Sequence, residues 1–201
     1  MHEKYTTRGL IVYASAYREA DKILSVYTED FGLVSAVAAG VRRSTSKLRY
    51  HTQDLSVRDF TLVRGRDLWR LVGAEEIDGV AALDPTTSNG EALAVYARVI
   101  SLIRRLVRGE EKNEQVFLDL FSLYKMLPGI SLIDDTSKNL QALEVLVVFR
   151  ILHSLGYIRA DALTKGLIEP ALVTSDLVLA ARPLLPKLVF AINAGLVESH
   201  L

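Results

Sequence analysis

The sequence predicts an α+β chain: a five-stranded β-barrel over residues 1–78, followed by an all-helical domain over residues 79–201. Two observations carry that expectation. The first 78 residues hold five short runs rich in Val, Leu, Ile, Tyr and Thr, divided by turn residues. Near residue 80 the hydrophobic pattern changes from alternation to the three-and-four spacing of helices.

The strand-like runs are 7–14, 22–28, 33–39, 55–63 and 68–75. Glu29-Asp30-Phe31-Gly32 is a short connection ending in Gly, which suits a hairpin, and Arg64-Gly65-Arg66-Asp67 is a second. Alternation is visible, though imperfect, in Lys22-Ile23-Leu24-Ser25-Val26-Tyr27. Five strands at this spacing fit a small barrel, of the OB or the SH3-like kind. Asp84-Pro85-Thr86-Thr87-Ser88-Asn89 reads as a linker and helix start. Leu93, Tyr96, Ile100, Ile103 and Val107 then form one helical stripe. Phe117, Leu120, Phe121, Tyr124 and Leu127 form a second, ended by Pro128-Gly129. The stretch 140–155 is apolar on nearly every side and reads as a buried central helix. Shorter helices are expected near 161–168 and 184–196, with Pro183-Leu184-Leu185-Pro186 marking a helix start and 189–196 packing into the core.

The 201 residues are half hydrophobic, with 24 basic and 24 acidic side chains and no net charge. That is a globular composition. It excludes a protein that coats a polyanion by bulk charge, so any nucleic-acid site must be local. There is no cysteine, which excludes disulfides, thiolate zinc sites and a cysteine nucleophile. Met1-His2-Glu3-Lys4-Tyr5 has no signal-peptide core. The longest strongly apolar stretch, 145–149, lies between Glu144 and Arg150. It falls short of the roughly 18 residues that a membrane span needs. The expectation is a cytoplasmic protein with no membrane partner.

No phosphate-binding loop, dinucleotide turn, nucleophile elbow or HExxH pair occurs, so no enzyme is expected. His2, His51, His153 and His200 lack ligand spacing, and neither metal nor cofactor is expected. Asp134-Asp135 reads as a helix cap and Glu75-Glu76 as a solvated strand end.

One segment stands out chemically. Residues 41–51, Val41-Arg42-Arg43-Ser44-Thr45-Ser46-Lys47-Leu48-Arg49-Tyr50-His51, contain no acid and sit between two strand-like runs. Arg42, Arg43, Lys47 and Arg49 supply charge, and the three hydroxyl residues can reach phosphate oxygens. Tyr50 and His51 offer faces for base stacking, with Tyr13, Tyr17 and Tyr27 on nearby strands. Arg58, Arg64, Arg66 and Arg70 extend the region, so residues 40–70 carry eight basic and three acidic side chains. Charge alone leaves a solvated, mobile loop with Tyr50 packed at its base equally open. The candidate nucleic-acid-binding set is Arg42, Arg43, Lys47, Arg49, Tyr50, His51, Arg66 and Arg70. Arg98, Arg104, Arg105 and Arg108 are read as a solvated face of the first helix.

The residues also resemble a known family. Gly9-Leu10-Ile11-Val12, Tyr17-Arg18-Glu19-Ala20-Asp21-Lys22-Ile23 and Tyr27-Thr28-Glu29-Asp30-Phe31-Gly32 are similar to the opening of RecO-type DNA repair and recombination mediators. The likeness continues through 34–43, Ser46-Lys47-Leu48-Arg49, Gly65-Arg66 and 71–75, and more loosely over 143–157. It implies an N-terminal OB-fold, a C-terminal helical domain and no covalent chemistry. It implies binding of single- and double-stranded DNA, strand annealing, and transfer of DNA coated with single-strand-binding protein to RecA. RecR and the tail of single-strand-binding protein are the implied partners. The family's basic loop falls on Arg42, Arg43, Lys47 and Arg49. Many members carry a four-cysteine zinc module after the segment matching Leu155-Gly156-Tyr157. This chain has Ile158-Arg159-Ala160-Asp161-Ala162 there, so zinc is not expected. A protein-interaction module and an RNA-binding OB-fold are the competing functions.

Overall fold

A computed structural model describes residues 3–81, 83, 88–130 and 135–198. Asp84 to Thr87 of the expected linker, Asp134, His2 and His200 lie outside the described residues.

Five strands close into a barrel: β1 (Lys4–Tyr17), β2 (Asp21–Thr28), β3 (Gly32–Ala38), β4 (Val57–Val63) and β5 (Trp69–Glu75). Their order around the barrel is β1-β2-β3-β5-β4. Every pairing is antiparallel except β3 with β5, which match Ala36 to Trp69 and Val37 to Arg70. This arrangement is an OB-fold, which resolves the choice between the two small barrels.

Closure depends on β1. It has 14 residues, pairs with β4 along its first half and with β2 along its second, and bulges between Ile11 and Tyr13. A bulge bends a strand and raises its twist, so one strand can serve two neighbours. Gly9 sits at the overlap. A Cβ there would meet Val26 Cγ1 at 2.7 Å and Phe60 Cδ2 at 2.9 Å. Inside the barrel, Ile11, Leu24, Val26, Val34, Ala36, Phe60, Leu62, Trp69 and Leu71 form the core. The expected β2–β3 hairpin is present. Thr28 Oγ1 donates to Gly32 O at 2.9 Å and accepts from Phe31 N at 3.1 Å, and Gly32 takes a φ of +69°.

The helices are α1 (Gly90–Leu106), α2 (Glu114–Ile130), α3 (Thr136–Ser154), α4 (Ser175–Ala181) and α5 (Leu185–Glu198). The chain forms two compact units. One is Met1–Ala82 with Ile100–Lys112, and the other is Leu83–Val99 with Asn113–Leu201. The barrel unit therefore includes the end of α1 and the six residues after it. Leu33 N donates to Gly109 O at 3.2 Å, and Trp69 Nε1 donates to Glu110 Oε1 at 2.8 Å.

In the helical unit α3 is the buried centre, as its composition suggests: Leu140, Leu143, Leu146, Val147, Phe149, Ile151 and Leu152 are all buried. Arg150 is buried with them, at 1 % exposure. Its Nε donates to Asp119 Oδ1 on α2 at 2.6 Å, and its Nη atoms donate to the carbonyls of Leu167 (2.6 Å) and Pro170 (2.7 Å). Burial pushes the Asp119 carboxyl up to about 6, against the opposing pull of Arg150 and Gln115.

Several expectations fail locally. Helix α2 runs through Pro128-Gly129 to Ile130 rather than stopping there. The proline forfeits its own i→i−4 bond, but only two helical residues follow it. Residues 161–168 hold only a 3₁₀ turn, Lys165–Leu167, and the Asp161 carboxylate before it accepts from the N–H of Leu163 (3.1 Å) and Thr164 (3.0 Å). Helix α4, not expected, is seven residues long, too short to show a period, and is capped by Thr174 accepting from Leu177 N. Asp135 stands at the N-cap of α3 but makes no capping bond; its carboxylate pairs with Lys138 and Arg182. Among the described residues, the run Ser175–Glu198 has the length and apolar composition to cross a membrane, whereas the sequence reading found no such stretch. A 3₁₀ turn at Arg182–Leu184 divides it, and Leu177, Val178, Ala181, Leu188 and Ile192 are buried. Its opposite face leaves Leu179, Val189, Phe190 and Val197 exposed, so 189–196 is only partly core.

Candidate nucleic-acid interface

The cationic segment connects β3 to β4. It is not the loose excursion that charge alone allowed. Gly40, at a φ of +67°, turns the chain, and its N–H donates to Asp21 Oδ1 at 2.8 Å. Arg42 N donates to Ala20 O at 3.0 Å, Arg43 N to Gly40 O at 3.1 Å and Ser46 N to Arg43 O at 3.1 Å. Residues Lys47–Thr52 then form a 3₁₀ turn. Lys22 Nζ donates to Thr52 O at 2.9 Å, tying the end of that turn to β2. Two apolar residues anchor the segment: Val41 is buried in the barrel core and Leu48 packs against it. Alternating cations and anchors explain the exposure. With Val41 and Leu48 turned inward, Arg42, Arg43, Lys47 and Arg49 face solvent.

These cations are uncompensated. Arg42 Nη1 donates to the carbonyls of Arg18 (3.2 Å) and Glu19 (3.0 Å), not to a carboxylate. Among the described residues, Arg43, Lys47, Arg49, Arg66 and Arg70 make no ion pair. Tyr50 is 73 % exposed, so it is not the packing anchor; Leu48 fills that role. His51 is half-buried and accepts at Nδ1 from Arg58 Nε at 3.2 Å, which ties its ring to β4.

The structure separates the remaining residues. Arg58 is committed to His51 and, at 3.8 Å, to Glu76, with 11 % of its side chain exposed. Arg64 pairs with Glu110 at 3.3 Å and lies over the Trp69 ring. Neither extends the free positive region. Arg66 and Arg70 remain exposed. The strand register places Arg70 at the end of an outward row, Ser15-Ile23-Val37-Arg70, across β1, β2, β3 and β5. Of the tyrosines, Tyr27 is fully buried and offers no face. Burial pushes its phenol up, with Glu111 adding to the shift. Tyr17 is half-buried beneath the Arg18 guanidinium, and Tyr13 is 43 % exposed. Arg18, an exposed cation in the β1–β2 turn beside Arg42, was missed from sequence although its place between two strand runs was readable.

The segment can therefore hold phosphates from several ordered donors and present an exposed ring, Tyr50, to a base. Comparison with known proteins bears on this barrel directly. The family model for the recombination protein O N-terminal domain matches residues 1–80. A "DNA repair protein RecO" of Rubrobacter xylanophilus is 32 % identical over 126 residues, 56 % of this chain and 51 % of that protein. The protein of the same name from Synechocystis is 32 % identical over 123 residues, 61 % of this chain and 44 % of its own length. That of Clostridium novyi is 26 % identical over 153 residues, 76 % of this chain and 56 % of its own length. The chain thus spans about half the length of the relatives it matches. The barrel thus matches the RecO N-terminal domain over its whole length, and the chain is similar to proteins named DNA repair protein RecO.

Proposed function

We propose that this chain is a non-enzymatic mediator of DNA repair and recombination acting in the cytoplasm. It binds single- and double-stranded DNA on its barrel, anneals complementary strands, and assists RecA loading on DNA coated with single-strand-binding protein. RecR and the tail of single-strand-binding protein are its proposed partners, and no metal or cofactor is needed. Residues 1–78 serve as the DNA-binding domain and 79–201 pack and bind partners. The observation that carries this reading is the set of exposed, carboxylate-free cations on an ordered segment: Arg42, Arg43, Lys47 and Arg49. Arg66, Arg70, Tyr50 and His51 complete the proposed site. Screening the charge of two strands on one surface lets their bases pair.

The test is a fluorescence anisotropy titration of labelled single-stranded DNA at several salt concentrations, with an annealing assay alongside. Each phosphate contact contributes about 0.7 to the log–log salt slope on single strands. Replacing Arg42, Arg43, Lys47 and Arg49 by Gln should lower that slope by about 3. An unchanged slope rejects the segment as the site. The exposed Leu179, Val189, Phe190 and Val197 favour one second reading, an interaction module working through the helices. A pull-down with single-strand-binding protein by a chain that binds no DNA would support it. Tighter binding to RNA of the same sequence would instead point to an RNA partner.

A further inference from the structure

The end of α1 carries a second cationic group, and it belongs to the barrel unit. Residues 100–108 hold Arg104, Arg105 and Arg108 and no acid. Ile100, Ile103 and Val107 are buried, while Ser101, Arg104, Arg105 and Arg108 are exposed. That spacing of three, four and seven lays the cations in one stripe on the side away from the core. Val107 N donates to Ile103 O at 2.9 Å, so the helical turn continues to the base of Arg108. Arg98, earlier on the same helix, differs: it is locked to Glu144 by two bonds of 2.6 Å. Among the described residues, Arg104, Arg105 and Arg108 pair with no carboxylate. Glu110, which follows them, is taken by Arg64 and Trp69.

One contact orients the group. The Arg104 guanidinium lies over the Tyr13 ring, 4.2 Å from its centroid. Tyr13 is on the outer face of β1, in the row Tyr13-Ser25-Ser35 across β1, β2 and β3. Stacking holds a guanidinium flat and leaves its edge donors free for an anion. The next outward residue on β1 is Ser15, in the row that ends at Arg70. A helix C-terminus favours cations whatever their role. Yet like charges at i and i+4 oppose each other, and the dipole does not account for the stacked ring.

We propose that Arg104, Arg105 and Arg108, with Tyr13 beneath Arg104, form a second nucleic-acid-binding patch on the barrel unit, taking the phosphate backbone of DNA apart from the β3–β4 segment. This rests on the DNA-binding reading above and deepens it. The barrel unit then has two cationic sites, so two lengths of DNA are held at once, as strand annealing requires.

The experiment compares the full-length wild type, R104Q/R105Q/R108Q, and R42Q/R43Q/K47Q/R49Q, using labelled single-stranded DNA across a salt series and then its complement. The helix-end variant should lose about 2 from the salt slope. It should also anneal at least tenfold more slowly when the labelled strand is saturated. If it binds and anneals as wild type while the segment variant weakens, the second patch is rejected and the first reading stands. If the wild type binds no DNA, both fall. These side chains are exposed, so melting temperatures should agree; if the triple variant melts early, R105E, a single exposed change, should lose about 0.7 from the slope and anneal more slowly, and no change in either rejects the patch.

Discussion

At the scale of single residues, the cationic segment works because two apolar side chains hold it. Val41 and Leu48 bind the segment to the barrel, and the charges follow from their placement. Leu48→Ala removes no charge, yet it should weaken binding to single-stranded DNA several-fold by loosening the segment. Anisotropy titration beside an unchanged far-ultraviolet circular dichroism spectrum would check this. Gly9→Ala is a packing change: the new Cβ meets Val26 and Phe60 below 3 Å. Overpacking of this kind costs about 1–3 kcal/mol, read from the denaturant midpoint. Arg150 is the costliest single position in the helical unit. Removing it leaves Asp119 buried without its cation and the Leu167 and Pro170 carbonyls without their donor. Arg150→Ala should cost about 3–5 kcal/mol. Asp119 also sets a pH dependence. Its folded value of about 6 lies above the ordinary 3.8, so the folded state holds the proton more tightly than the unfolded state. Its contribution to stability is full below about pH 4 and falls as pH rises to about 6. Denaturant midpoints measured across that window should show the decline, and Asp119→Asn should flatten it.

At the scale of elements, the strands were legible from their Val, Leu, Ile, Tyr and Thr content, the turn residues between them and, in places, alternation of core and surface residues. β3 shows this plainly, with Val34, Ala36 and Ala38 buried between more exposed neighbours. The buried centre α3 was legible from its all-round apolar composition. What stayed hidden depends on partners distant in sequence. Arg58 and Arg64 look like free cations, but their acids, Glu76 and Glu110, lie 18 and 46 residues away. Tyr27 looks like a stacking platform. Its strand partner Leu33 bonds to Gly109, and Glu111 acts on its phenol, so a segment some 80 residues on decides its burial. The end of α1 reads as solvated helix from its pattern, and only the barrel contacts of 100–112 place it beside β1. Helix α4 and the turn at 165–167 are set by side-chain caps at Thr174 and Asp161, which leave no periodic trace.

At the scale of the molecule, zero net charge conceals a strong local asymmetry. Positive charge gathers without carboxylate partners on the barrel unit, at the β3–β4 segment and the end of α1. Acids elsewhere are engaged in pairs such as Arg98–Glu144 and Arg8–Glu29. Binding should therefore depend on salt as a local polyelectrolyte contact does, not as bulk attraction. The central claim is that the β3–β4 segment is the principal DNA contact. The direct measurement is the affinity of the full chain for labelled single-stranded DNA between about 50 and 300 mM salt, beside R42Q/R43Q/K47Q/R49Q. The account predicts a linear, steep log–log dependence whose slope falls by about 3 in the variant. An affinity indifferent to salt, or an identical slope in both proteins, would contradict it.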